Sequence, residues 1–253
     1  MGILYETAVL LIACQLIPLL LGPIVVKLFH SSSARPGVFV IEERELPPPT
    51  ALYFSSLGPA FESLGFKLLA YLRIEGVANN IVSYMVYLCN RNTMDVASAV
   101  TLFRLRSEFP TVRYFEFCRK FTDGSEIDTN NTRQPGVFGK DPEKLVFRFP
   151  HAGSPESLWD LHQRLIRREQ KRSLPFLPPE GTEVEAFRAH FARVYEKQSE
   201  IGYFRADESG YIYRPTWKGA CLMTWRLCWP IKIVLAAIGR VKTKKMLREL
   251  YQS

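Results

Sequence analysis

The sequence predicts an α+β protein carried behind a membrane-length apolar segment. Three observations lead there. Thr7 to Phe29 is a run of 23 residues whose only formal charge is Lys27. Between residues 66 and 149 strand-like runs succeed one another through short turns, with no helical period among them. After residue 150 the apolar residues return at helical spacing, and the chain ends in a basic tail. The expected fold class is therefore α+β: an N-terminal transmembrane helix, an antiparallel sheet of five or six strands with a covering helix, then a helical and hairpin C-terminal part.

A helix rises about 1.5 Å per residue, so Thr7–Phe29 would cross roughly 30 Å of hydrocarbon. Its flanks do not suit a cleaved signal. The leading MGILYE has no Lys or Arg, and the apolar run is longer than such signals use. Pro18, Gly22 and Pro23 suit a membrane helix better than a helix in water. Lys27 lies at the end of the run and Arg35 after it, and no basic residue precedes it, which puts the N-terminus outside and the remainder on the cytoplasmic side.

Residues 31–49 read as a linker ending in a stiff Pro47-Pro48-Pro49 spacer, with a short strand at 38–43. The folded domain is expected over 50–172. Pro59 to Leu64 reads as a short helix. Strands are expected at 66–74, 81–88, 96–105, 112–121, 126–129 and 145–149, with a hairpin turn at Thr122-Asp123-Gly124-Ser125. Short connections pair neighbours antiparallel, because a parallel pair needs a crossover of about a dozen residues. Ser154 to Arg172 is an amphipathic helix capped by Ser154, with Leu158, Leu161 and Leu165 toward the sheet. Residues 173–181 form a proline-rich boundary. The last segment, 182–253, opens on a helix with a Thr182/Glu185 capping box and an apolar face of Val184, Phe187, Phe191, Val194 and Tyr195, followed by a hairpin over 202–214.

With 47% hydrophobic and 13% aromatic residues, the chain can form a packed core and is not a disordered protein. Its net charge of +8 is local. Nine of the 33 Lys and Arg, but one of the 25 Asp and Glu, lie from Arg214 onward, so the rest is balanced. On a single helix over 216–239, Lys218, Arg226, Lys232 and Arg240 share one arc, with Trp225 and Trp229 in or beside it. Together with Lys242, Lys244 and Lys245 they form the expected membrane-surface site, with anionic phospholipid as partner. Such a helix could also pack on the domain or span the bilayer as a second helix.

No chemistry announces itself. His30, His151, His162 and His190 form no metal-binding spacing, and no nucleophile elbow, P-loop or dinucleotide fingerprint occurs. His162 is expected on a helix surface. Asp123, Glu126, Asp128, Asn130 and Asn131 are dense in polar groups but lack a calcium loop's spacing. The five cysteines are scattered and read as reduced thiols. No catalytic residue, cofactor or metal is expected.

The hairpin YFRADESGYIYRPTWKG resembles the wing of a winged-helix DNA-binding domain. The resemblance covers about 17 residues, lacks an upstream helix-turn-helix and would imply nucleic-acid binding. The reading as a whole is a single-pass membrane-anchored protein whose cytoplasmic domain binds or scaffolds an unidentified protein. The alternatives are a membrane-associated enzyme, with a pocket drawing on His162, Asp123, Asp128 or Cys118, and the winged-helix-like nucleic-acid binder.

Overall fold

A computed structural model describes residues 2–78, 80–134, 136, 138–169 and 173–252, the side chains of 2–4 and 7–15 excepted. The fold is α+β, as expected. It divides into two compact units that do not keep to chain order. One comprises 1–34, 134–139 and 193–244, the other 35–133, 140–192 and 245–253.

The larger unit is built on a sheet of eight strands. These are β2 (Gly37–Ile41), β3 (Lys67–Glu75), β4 (Ile81–Asn90), β5 (Asp95–Arg104), β6 (Val112–Phe121), β7 (Glu126–Asn130), β8 (Lys144–Arg148) and β9 (Pro175–Phe176). They lie in the order β2-β3-β4-β5-β6-β7-β8, and β9 pairs with β6 at Lys120 and Phe121, past the end of β5's pairing. The sheet is larger than the expected five or six strands, and it is mixed: β8 runs parallel to β7. The connection 131–143 has about the dozen residues that a parallel return requires. Its middle, 134–139, belongs to the other unit, where Phe138 packs edge-on against Tyr195 and Phe204.

Both faces of this sheet are covered. On one, α2 (Pro48–Ser63) and α3 (Pro155–Glu169) bury Phe54, Leu57, Phe61, Leu158, Leu161 and Leu165 against Val86, Leu88, Ala97, Ala99, Phe115 and Phe117. On the other, Val184, Phe187 and Phe191 of α4 (Glu183–Glu200) cover Leu72, Met85, Tyr87 and Val100. Two-sided burial explains why IVSYMVYL and VASAVTLF read as continuous apolar runs. It also corrects the expectation of one covering helix, and it shows in 112–121, whose large apolar and charged residues alternate in the sequence. Phe115, Phe117 and Arg119 share one face, while Tyr114, Glu116 and Cys118 share the other, so polar groups enter both layers.

Three local expectations change. Pro47-Pro48-Pro49 is not a spacer, because Pro48 and Pro49 occupy the first positions of α2, where a missing N–H costs nothing. Pro59 lies inside that helix, whose buried Phe54, Leu57 and Phe61 hold it together. The Thr182/Glu185 capping box is not made: Thr182 donates to the Pro179 carbonyl and Glu185 pairs with Arg188. Arg188 is needed at the sheet, where it donates to the Val38 carbonyl at 2.7 and 3.1 Å. Ser154 does cap α3, accepting from Ser157 N–H at 3.3 Å. Lys171 and Arg172 lie outside the described residues.

The smaller unit holds α1 (Gly2–Phe29), β1 (Ser32–Ser33), β10 (Phe204–Ala206), β11 (Ile212–Pro215), α5 (Trp217–Leu227) and most of α6 (Ile231–Gln252). Its strands form a sheet in the order β1-β11-β10. Tyr195, Tyr203, Phe204, Tyr213 and Met223 form its core. The expected single helix over 216–239 is two helices, separated at residues 228–230 and bent by 73°. The residue before proline is driven out of the helical region, and Pro230 has no N–H to continue the ladder. The tail RVKTKK is helical, as part of α6.

Two glycines give opposite predictions. A Cβ on Gly219 would sit 2.0 Å from the Tyr203 carbonyl oxygen, whereas one on Gly58 in α2 meets nothing within 4 Å. Gly219→Ala should lower the thermal midpoint sharply. Gly58→Ala should raise stability by about 0.5–1 kcal/mol, read by urea denaturation.

Candidate membrane-contact surface

From Leu16 onward the side chains of α1 divide into two faces. Leu19, Gly22, Pro23, Val26 and Lys27 recur at helical spacing and are buried or half-buried. Gly22 permits this: a Cβ there would lie 2.4 Å from the Thr224 methyl of α5. The Trp225 indole N–H donates to the Leu19 carbonyl at 3.0 Å across the same contact. The other face carries Leu16, Leu20, Ile24 and Leu28 with their neighbours Ile17, Leu21, Val25 and Phe29, all between 42% and 70% exposed. A continuous stripe of this kind marks an interaction surface. On α6, Ile233, Val234, Leu235, Ile238 and Val241 are exposed too. Among the described residues no single helix is long and apolar enough to cross a membrane. Leu16–Phe29 is an apolar helical stretch shorter than a span, and α5 with α6 reach that length only as a bent pair.

The predicted basic site divides between two roles. Lys218 donates to the Ile201 carbonyl at 2.8 Å. Arg226 donates to the carbonyls of Phe138 and Gly136 and lies 5.7 Å from the centre of the Tyr203 ring. Trp225 is tied to α1 by its indole N–H. These three residues hold the smaller unit together and do not form one outward arc with α6, because the bend separates the helices. Trp229, Lys232, Arg240, Lys242, Lys244 and Lys245 are exposed along or before α6. Lys245 stands 3.9 Å from Glu249.

The larger unit contains two charge clusters that the sequence did not reveal. His162 is completely buried, not on a helix surface. Its Nδ1 lies 2.9 Å from the Thr129 hydroxyl and its Nε2 lies 3.2 Å from an Asp95 carboxylate oxygen. Arg119 grips the same carboxylate with two donors at 2.8 and 2.5 Å. Burial pushes Asp95 up, but its hydrogen bonds from His162 and Arg119 outweigh that and hold it below the usual carboxylate range. The connectivity is that of a hydroxyl–imidazole–carboxylate triad. Thr129, His162 and Asp95 are all fully buried, so no substrate can reach the hydroxyl. The spacing held the clue: His162 falls between Leu158, Leu161 and Leu165 on the buried stripe.

On the opposite face, Lys144 bridges Glu126 at 2.5 Å and Asp128 at 3.2 Å. Glu116 accepts from Ser98 at 2.9 Å. Part of Glu116 reaches the surface, but its carboxyl lies inside, and burial followed by the Asp128 charge pushes it up to about 8. Burial likewise raises the Cys118 thiol well above its ordinary value, so it is an inert core thiol. Cys89, Cys118, Cys221 and Cys228 are all free. Cys14 lies outside the described side chains.

Asp123 closes its turn, accepting from Ser125 N–H and hydroxyl at 2.9 and 2.7 Å. Among the described residues no cluster of His, Cys, Asp and Glu could hold a metal. Asn130, the sequon asparagine of Asn130-Asn131-Thr132, is buried and donates to Asp128 at 3.2 Å. Two surface hollows, one at the β10–β11 turn and one at Asn80 and Arg104–Arg106, include none of these cluster residues. Comparison with known families, curated proteins and solved structures finds no match.

The clusters can be probed one at a time. Asp95→Ala leaves Arg119 and His162 buried without their acceptor and should cost about 3–5 kcal/mol in urea denaturation. Glu116 has an ordinary value of 4.5 and a folded value of about 8. Its contribution to stability is complete below the first value and is lost as pH rises through the second. Glu116→Gln cannot ionise, so its urea midpoint should gain on wild type between about pH 5 and about pH 9.

Proposed function

We propose that the chain is a single-pass membrane-anchored protein with a cytoplasmic α+β module for binding or scaffolding. The observation that carries this reading is the outer stripe of α1. Eight large apolar side chains face away from the protein while the opposite face is locked to α5 through Gly22. A stripe that apolar would be costly in water, and the run Thr7–Phe29 has the length of a bilayer core. Lys27 and Arg35 at its C-terminal end support a cytoplasmic location for the rest of the chain.

The exposed part of α6 supports a second, surface attachment. Its first turns are apolar, and Arg240, Lys242, Lys244 and Lys245 come next. Each basic group near an anionic leaflet contributes about 1 kcal/mol, so these four could hold the helix on the membrane surface. The partner at this site is anionic phospholipid. The protein partner of the α+β module is unidentified. Binding is favoured over catalysis because the triad-like arrangement found among the described residues is sealed. Nucleic acid is disfavoured because the net charge resides on α6 and its neighbourhood, and because among the described residues β9, not a recognition helix, lies between α3 and α4.

The full chain in native membranes should resist extraction by alkaline carbonate, and Leu20→Lys/Ile24→Lys should release it. Wild type in the carbonate supernatant would overturn the anchor. In sealed inverted vesicles, protease should remove a C-terminal tag and spare an N-terminal one. The opposite pattern would reverse the orientation.

A further inference from the structure

The outer face of the β10–β11 hairpin carries two arginines directly opposite each other. In the antiparallel register Arg205 pairs with Arg214, flanked by Phe204↔Pro215 and Ala206↔Tyr213. Phe204 and Tyr213 point into the core, so strand alternation puts both guanidinium groups on the solvent side. Like charges directly opposite in a ladder repel. Among the described residues neither arginine has an ion-pair partner. Asp207 and Glu208 line the same hollow. Asp207 forms no ion pair with either arginine; its carboxylate is held by the turn, accepting from the Ser209 hydroxyl at 2.6 Å and from Ile212 N–H at 3.4 Å. Glu208 is the rim acid of the hollow.

The chain path sets the level of this pair. Helix α1 ends at Phe29, and Ser32, three residues on, pairs with Tyr213, the neighbour of Arg214. If α1 is inserted up to Phe29, the arginine pair stands at the height of the lipid headgroups. Two guanidinium forks side by side match a phosphate, which can accept from both and remove their repulsion.

We propose that Arg205 and Arg214 form a phosphate clamp occupied by the headgroup phosphate of an anionic phospholipid. The inference rests on the membrane reading of α1. The clamp differs from the α6 site in needing paired, planar donors and not charge alone.

The test uses the full chain in dodecyl maltoside micelles, which carry no phosphate, with and without phosphatidylglycerol, and reads the thermal midpoint. Phosphatidylglycerol should raise the wild-type midpoint by a few degrees. Arg205→Gln/Arg214→Gln should be at least as stable as wild type in dodecyl maltoside alone, having lost the repulsion, and should gain less than half the wild-type shift. Arg205→Lys/Arg214→Lys, which keeps the charge and loses the fork, should gain little more than the glutamine variant. Equal shifts in wild type and the glutamine variant would overturn the clamp, as would a full shift in the lysine variant. An equal shift produced by inorganic phosphate in dodecyl maltoside would assign the site to a soluble phosphate and overturn the lipid assignment. Carbonate extraction tests the anchor separately, so failure of the anchor and failure of the clamp give different results.

Discussion

Burial of the eight-stranded sheet on both faces is the constraint on which the rest of the larger unit depends. Once α2 and α3 close one side and α4 the other, every polar side chain in the middle strands needs a partner inside the protein. Asp95 finds three, in Arg119, His162 and Gln163. Glu126 and Asp128 share Lys144, and Glu116 is held toward its neutral form. The helices are positioned by the same requirement. His162 fixes α3 over β5 and β7. Arg188 and the Arg91–Glu183 pair fix the start of α4 over the sheet.

This also separates chemistry that looks catalytic from chemistry that could act. An imidazole between a hydroxyl and a carboxylate is the arrangement of a nucleophilic enzyme, yet here the carboxylate is also clamped by a guanidinium and the hydroxyl is sealed. Burial turns the triad into a packing device. A group that could serve an outside partner must keep an open side, and among the described residues the outer stripe of α1, the basic residues of α6 and the arginine pair of the hairpin keep one.

Within the smaller unit, close packing and exposure lie on opposite faces of one helix. Gly22 lets α1 and α5 approach to contact, and Gly219 lets α5 meet Tyr203. On the opposite face of α1 the large apolar residues between Leu16 and Phe29 stay largely exposed. The basic residues nearest this packing, Lys218 and Arg226, are consumed by backbone carbonyls. Those beyond the Pro230 break stay exposed because α6 departs from α5 at a steep angle.

The sequence by itself determined the class of the fold, the limits of most strands, the two amphipathic helices α3 and α4 and the apolar character of the N-terminal run. These depend on local period and on turn residues, which neighbouring side chains settle among themselves. Only the tertiary structure decided that Pro48 and Pro49 begin a helix, that β8 runs parallel, that the C-terminal helix is broken in two, and that His162 is buried. It alone matched Arg119 with Asp95, Lys144 with Glu126 and Asp128, and Gly22 with Thr224, which stand far apart in the chain. Which face of a strand is covered, and which charge meets which, depends on what else is folded against it. That information is distributed over the whole chain and is not present in any local window.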